Sequence, residues 1–407
     1  MASILFLFLL LSICFLSPAT ARSKTKHVSN KLFNSLEELS RIVDISYCVG
    51  TTGVHRPFQC LSRCIEFPDL ELVTTWNTGL LLSDSCGYVA LSHSPSAKQI
   101  ILAFRGTYSI TNTIIDLSAY PQAYIPYPDP EANTTTNPNP TSPHCENCTV
   151  HAGFMRSWLE TRPTILPQIS ILRQKYPDYA ITLVGHSLGG AVATLAGLEM
   201  RLKGWDATVT TFGEPMIGNG ALAAFIDEQF GLGDGISIPP LDPLDGGMRF
   251  RRVTHVGDPV PMLPLAEWGY RPHAGEIFIK REGLPPRRED VVHCLGAEDP
   301  GCIAGEGAEG VLVELYRDLS VPVGLAGSGE EGSRSSDGDD YGDGVSGEQA
   351  VLGFQSSDLT DYKDKLSPLR WDWSLIPARY RLWELFYAHR DYFWRIGLCV
   401  PGGDPTG

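Results

Sequence analysis

Residues 181–197 read ITLVGHSLGGAVATLAG. An apolar run leads into Gly185-His186-Ser187-Leu188-Gly189, and Gly190, Ala191 and Ala193 follow. A serine hydroxyl is a weak nucleophile that needs exposure, a nearby base, and donors for the oxyanion it generates. A sharp turn from strand into helix supplies the exposure and sets the next backbone N–H beside the reacting oxygen. Such a turn forces backbone against backbone, so the positions two before and two after the serine must be tiny, as Gly185 and Gly189 are. A bare G-x-S-x-G is common by chance. The apolar strand before it and the helical pattern after it make Ser187 the candidate nucleophile.

Working outward, Gly87–Ser92 and Gln99–Phe104 read as neighbouring strands, the second almost wholly apolar and therefore interior. Ala180–Val184, Ala207–Phe212 and Phe250–Val256 read as further strands, with helical patterns at 154–175 and 188–202 between strands. That alternation argues for βαβ units. Nearer the start, Leu32, Leu36, Leu39 and Val43 form a stripe that packs one helix face onto a core. Residues 121–144 hold many Pro, Asn and Thr and read as a surface loop.

A serine nucleophile calls for an acid and a histidine farther along the chain. In RRVTHVGDPVPMLP, Asp258 stands just past a strand end, stiffened by Pro259 and Pro261. Three histidines follow: His273 in RPHAGEIF, His293 beside a cysteine, and His389 in FYAHRDYFWRIGLC. Spacing alone does not choose between them.

The chain has 407 residues, 43% hydrophobic, enough for a sizeable core. At roughly 150 residues per domain that length allows two or three domains, although large α/β enzymes often form one. The formal net charge of −15 sets the surface against nucleic acid, whose phosphates it would repel. The opening MASILFLFLLLSICFLSPATARSK has an apolar core too short to span a bilayer and a small-x-small site at Ala19-Thr20-Ala21. Residues 1–21 therefore read as a signal peptide, and no later segment is apolar enough to cross a membrane, so no transmembrane anchor is expected. Of ten cysteines, removing Cys14 with the signal leaves nine, so at least one stands outside an intrachain disulfide. In an oxidising compartment disulfides are the better expectation than a thiolate metal site. Asn133 and Asn147 begin N-glycosylation sequons. From Gly324 the composition turns to GLAGSGEEGSRSSDGDDYGDGVSGE, so 324–350 reads as a disordered acidic insertion.

Taken together, ILAFRGT, VHAGF, LVGHSLGGAVATLAG, TFGEPMIGN, RVTHVGDPVPMLP, HAGEIF and AHRDYFWRIGLC resemble, in this order, the class 3 lipases of the filamentous-fungal type. The resemblance covers about 31–323 and 355–400. It implies an α/β-hydrolase fold: a mixed, mostly parallel central sheet with helices on both faces, as one catalytic domain over 22–407. It implies Ser187 as nucleophile, Asp258 as orienting acid and His389 as base, with His273 a structural landmark before a strand. The oxyanion hole would combine the Leu188 N–H with Thr107. In YSITNTIIDLSAY, Ile110, Ile114 and Leu117 fall where the family has its lid. The implied disulfides are Cys48–Cys399, Cys60–Cys64 and Cys294–Cys302, the second with one more intervening residue than the family pattern. Cys145 and Cys148 could then bridge locally, leaving Cys86 as the odd thiol. Arg390 stands where an apolar residue is more usual. Glu214 and Met216 replace Gln and Arg, implying altered surface contacts.

The leader and the cysteines point to a secreted, extracellular protein, expected to be a monomer, and with the resemblance the chain reads as a carboxylic-ester hydrolase acting on lipid esters through an acyl-enzyme, at a lipid–water interface, with no metal or organic cofactor. A feruloyl or other soluble-ester esterase on the same fold is the competing reading. A lipid-binding protein on an inactive scaffold is the reading from a different class, and an intact Ser, Asp and His set argues against it.

Overall fold

The computed structural model describes residues 26–79, 85–107, 121–126, 144–232, 247–305 and 387–402. All of them belong to one compact unit, Met1–Val311 with Trp383–Gly407; a second unit, Leu312–Leu382, lies outside the described residues. So do the expected signal peptide, Ile110, Ile114 and Leu117, Asn133, and the acidic stretch 324–350.

The described strands are β1 (Lys26–His27), β2 (Leu70–Asn77), β3 (Cys86–Ser92), β4 (Gln99–Arg105), β5 (Pro121–Ala123), β6 (Thr149–His151) and β7 (Ala180–His186). They continue as β8 (Ala207–Phe212), β9 (Gly218–Asn219), β10 (Phe250–His255), β11 (Tyr270–Arg271), β12 (Glu276–Ile279) and β13 (Val291–His293). The helices are α1 (Asn30–Ile45), α2 (Ala152–Lys175), α3 (Leu188–Leu202) and α4 (Gly220–Phe230).

Among the described residues, nine strands form the main sheet in the order β1-β13-β12-β10-β8-β7-β4-β3-β2. Its centre, β12-β10-β8-β7-β4, is parallel throughout, with Leu102 opposite Leu183 and Leu183 opposite Val209. The flanking pairs are antiparallel. An interior parallel strand is covered on both faces, which is why Ile100 to Phe104 are all apolar and all buried. One face is covered by α1, whose Leu32, Leu36, Leu39 and Val43 pack with Ala103, Val184, Phe212 and Val253. Ser29 starts that helix by accepting the Leu32 N–H at 3.1 Å. The other face carries α3, where Gly197 lies so close that a Cβ would come within 2.3 Å of Val209 Cγ2. Strands β11-β9-β6-β5 make a second, small antiparallel sheet.

Disulfides join Cys48–Cys399, Cys60–Cys64, Cys145–Cys148 and Cys294–Cys302, while the buried Cys86 Sγ–H donates to Asn77 Oδ1 at 3.0 Å. The terminal segment is further tied to α1: Gly397 N–H donates to Asp44 Oδ1 at 2.9 Å, and Trp394 Nε1–H to Glu37 Oε1 at 2.6 Å. Phe393 meets Phe33 edge to face at 5.2 Å. Arg390 is buried among these contacts and donates through Nε to the Ile396 carbonyl at 2.6 Å, so its charge serves a main-chain bond inside the segment. The Cys48–Cys399 bridge closes a loop of 351 residues. A loop that long puts its contribution near the top of the roughly 2–5 kcal/mol range. The double variant Cys48→Ser, Cys399→Ser is therefore expected to unfold at markedly lower urea, read as a shift of the fluorescence midpoint.

Candidate active site

The turn between β7 and α3 holds Ser187 at φ 57°, ψ −131°. For a residue with a Cβ this conformation costs on the order of 1–3 kcal/mol. Its neighbours show why the sequence there is glycine. A Cβ on Gly185 would lie 2.2 Å from the Gly189 carbonyl oxygen, and one on Gly189 would lie 2.4 Å from that of Phe104. Both obstacles are backbone and neither can step aside. Gly185→Ala or Gly189→Ala is expected to displace the turn and cut ester turnover by about 100-fold or more, since misplacement by about 1 Å costs that much. Activity measured beside Tm would register both effects.

Asp258 follows the end of β10 and is fully buried. Its Oδ1 accepts the Val260 N–H at 2.9 Å and its Oδ2 accepts the Tyr392 hydroxyl at 2.5 Å. His389 Nδ1 lies 3.0 Å from both carboxylate oxygens. A carboxylate removed from water is tolerable only with such donors around it. Burial and the Asp258 charge push the Tyr392 phenol well above its usual range, so it stays protonated and donates. Space for the group comes from Gly213 at φ 60°, where a Cβ would fall 2.8 Å from His389 Cε1 and 2.6 Å from the Tyr392 oxygen. Because Nδ1–H serves the carboxylate, Nε2 is the bare, basic nitrogen of His389. Both that Nε2 and Ser187 Oγ are buried, and among the described residues neither has a hydrogen-bond partner.

His186, next to the serine, joins the two halves. Its ring lies 4.7 Å from the His389 ring, and its Nε2 is 2.8 Å from the His389 carbonyl oxygen. Gly106 closes the site from the end of β4: a Cβ there would lie 2.8 Å from Ser187 Cβ. Its neighbour Thr107 has a buried Oγ1 with no hydrogen-bond partner among the described residues. Leu188 is the first residue of α3, so its N–H has no acceptor within the helix. Ser187, Asp258, His389, Thr107 and Leu188 thus come from four separate stretches of chain.

Other residues marked out by the sequence lie elsewhere. His273 Nε2 faces Glu214 Oε1 at 3.2 Å and its ring packs edge-on against Phe250. His293 sits in β13, opposite Ile277. Asn147 is exposed, at φ 58°, between the bonded Cys145 and Cys148. The expectation that Glu214 alters surface contacts is corrected: Glu214 is buried, with Thr194 donating to Oε1 at 2.9 Å and Thr211 to Oε2 at 2.5 Å. These hydroxyls sit on α3 and β8, so the carboxylate is a core acceptor. Sequence reasoning missed Tyr392, His186 and Gly213. A tyrosine three positions after a candidate histidine and directly before Phe393 and Trp394 was a usable signal for the first, because a buried phenol needs a partner.

Among the described residues, the Glu276 carboxylate and the sulfurs of Cys294 and Cys302 lie close enough together to suggest a metal. Their sulfurs are joined to each other, and Glu276 pairs with Arg252 at 2.9 Å, so the donor set does not suit one.

The family described as "Lipase (class 3)" matches residues 101–268. "Lipase A" of Sodiomyces alcalophilus is 50% identical over 404 residues, spanning 96% of this chain and 87% of its own. "Secreted mono- and diacylglycerol lipase 2" of Gibberella zeae is 47% identical, covering 96% of this chain and 87% of its own. Among solved structures, the Lip2 lipase of Yarrowia lipolytica superposes with a TM-score of 0.60 at 34% identity, over 70% of this chain and 93% of that one. With an α/β-hydrolase sheet, a strained serine turn and a carboxylate-bound histidine in place, this chain belongs to the class 3 lipases and is a carboxylic-ester hydrolase.

Proposed function

We propose that the protein is a secreted lipase that cleaves acylglycerols through Ser187, His389 and Asp258. The carrying observation is the pair of buried, unpartnered atoms, Ser187 Oγ and His389 Nε2, with Nδ1 of the same ring bound to Asp258 at 3.0 Å. Oγ attacks the ester carbonyl carbon while its proton passes to Nε2, and the C–O bond to the glycerol oxygen breaks as Nε2 returns the proton to it. Water repeats the sequence on the acyl-serine, releasing the fatty acid and restoring the hydroxyl. Asp258 holds the ring in the required tautomer and stabilises the imidazolium. The Leu188 N–H and Thr107 receive the oxyanion, each donor contributing about 3 kcal/mol to the barrier reduction.

Supporting the lipid class are the relatives, named as lipases, one of them as a mono- and diacylglycerol lipase. Supporting secretion are the disulfides, the apolar leader and the word "secreted" in that relative's name. Among the described residues no helix is long and apolar enough to cross a membrane. The test is an alkyl phosphonate probe followed by peptide mass mapping. One adduct on Ser187, with loss of turnover on emulsified mono-, di- and triacylglycerol in proportion to labelling, is expected. Labelling elsewhere, or turnover confined to dissolved short-chain esters, would overturn the proposal.

A further inference from the structure

His186 makes two buried hydrogen bonds that the ester-cleavage chemistry itself does not use. Nε2 lies 2.8 Å from the His389 carbonyl oxygen, and Nδ1 lies 2.6 Å from the Tyr47 hydroxyl. The first bond fixes the tautomer, because a carbonyl can only accept: the proton sits on Nε2. In the neutral ring Nδ1 is then an acceptor, so the Tyr47 O–H donates to it. A doubly protonated ring would instead place a cation beside the imidazolium that forms on His389, 4.7 Å away between ring centroids. Burial, then the charge on His389, then that on Arg390, hold His186 well below the ordinary imidazole range and keep it neutral.

The bond reaches the base from its main-chain side, where Asp258 has no influence. Asp258 sets the rotation and tautomer of the His389 ring through Nδ1. The His186 contact instead sets where the His389 backbone stands relative to the serine turn, since His186 is the residue directly before Ser187. Tyr47 comes from the 3₁₀ turn Ser46–Cys48 at the end of α1, next to the Cys48–Cys399 bridge.

We propose that His186 is a positioning residue for the base: oriented by Tyr47, it donates from Nε2 to the His389 carbonyl and holds that residue in register with Ser187. This rests on the reading of His389 as the base. A register error of about 1 Å at this point costs roughly 100-fold in rate. The role concerns the chemical step, so the effect falls on kcat and leaves KM unchanged.

Glutamine can place an amide N–H where Nε2 stands, whereas methionine fills similar volume with no donor. His186→Gln is expected to keep kcat on a dissolved short-chain ester within about fivefold, the worth of one neutral hydrogen bond. His186→Met is expected to lose roughly 100-fold in kcat at unchanged KM. Imidazole ¹⁵N NMR of the intact protein should show His186 protonated on Nε2 and bare on Nδ1, with Tyr47→Phe shifting the Nδ1 resonance. Equal kcat for the Gln and Met variants, or a proton found on Nδ1, overturns the role given to His186. If His186→Met does not fold, the NMR assignment on the wild type decides. His389→Ala separates the two levels: full turnover in that variant would overturn the catalytic reading itself, whereas an inactive His389→Ala beside equal Gln and Met variants removes only this inference.

Discussion

Ser187→Ala is expected to lower kcat on emulsified acylglycerol by about 10⁴- to 10⁶-fold while leaving Tm little changed. The two halves of that result have separate causes. Catalysis collapses because no acyl-enzyme can form, and only the oxyanion donors and substrate binding remain to accelerate attack by water. Stability is spared because Oγ has no hydrogen bond among the described residues, and alanine inherits the same backbone conformation at φ 57°. Titration of released fatty acid measures the first and differential scanning calorimetry the second. A residual rate within tenfold of wild type would exclude Ser187 as the nucleophile.

Asp258→Asn should cost about 10⁴-fold in kcat. An amide carries one oxygen and one N–H₂ group, whereas the carboxylate accepts from Val260 N–H, Tyr392 O–H and His389 Nδ1–H together. Whichever way the amide turns, its N–H₂ opposes a donor. The cheapest escape is for His389 to move its proton to Nε2 and accept at Nδ1. The ring then presents a proton to Ser187 where it should present a lone pair. Tyr392→Phe deletes one donor and leaves the tautomer alone, so its loss should be far smaller. If the two variants lose rate equally, tautomer control by Asp258 is wrong.

How much of this could be read from the sequence depended on the range of the physics involved. The serine turn is a local steric problem, and its solution is written in Gly185 and Gly189 within four residues of each other. The parallel strands were legible because burial on both faces leaves unbroken apolar runs such as ILAF. Strand β2 was not, since its burial alternates irregularly around a bulge between Leu72 and Thr74. Helix α4 passed unnoticed although Asn219 caps it, accepting the Leu222 N–H at 3.1 Å, and Gly231 ends it at φ 68°.

The candidate base was the hardest residue to choose from spacing. His273, His293 and His389 are all compatible with chain order, and only tertiary contacts separate them: a carboxylate in the core for the first, a place in the sheet between Lys26 and Ile277 for the second, Asp258 for the third. Glu214 failed in the opposite sense. Its charge suggested the surface, and its burial became intelligible only once Thr194, Thr211 and His273 were seen to surround it.

The bridge from Cys48 to Cys399 also has a meaning in time. At roughly 5–20 residues per second, the 351 positions between its ends take about 20–70 s to translate. The bridge can close only after Cys399 has emerged, so α1 waits that long for its covalent tie to the segment that carries His389.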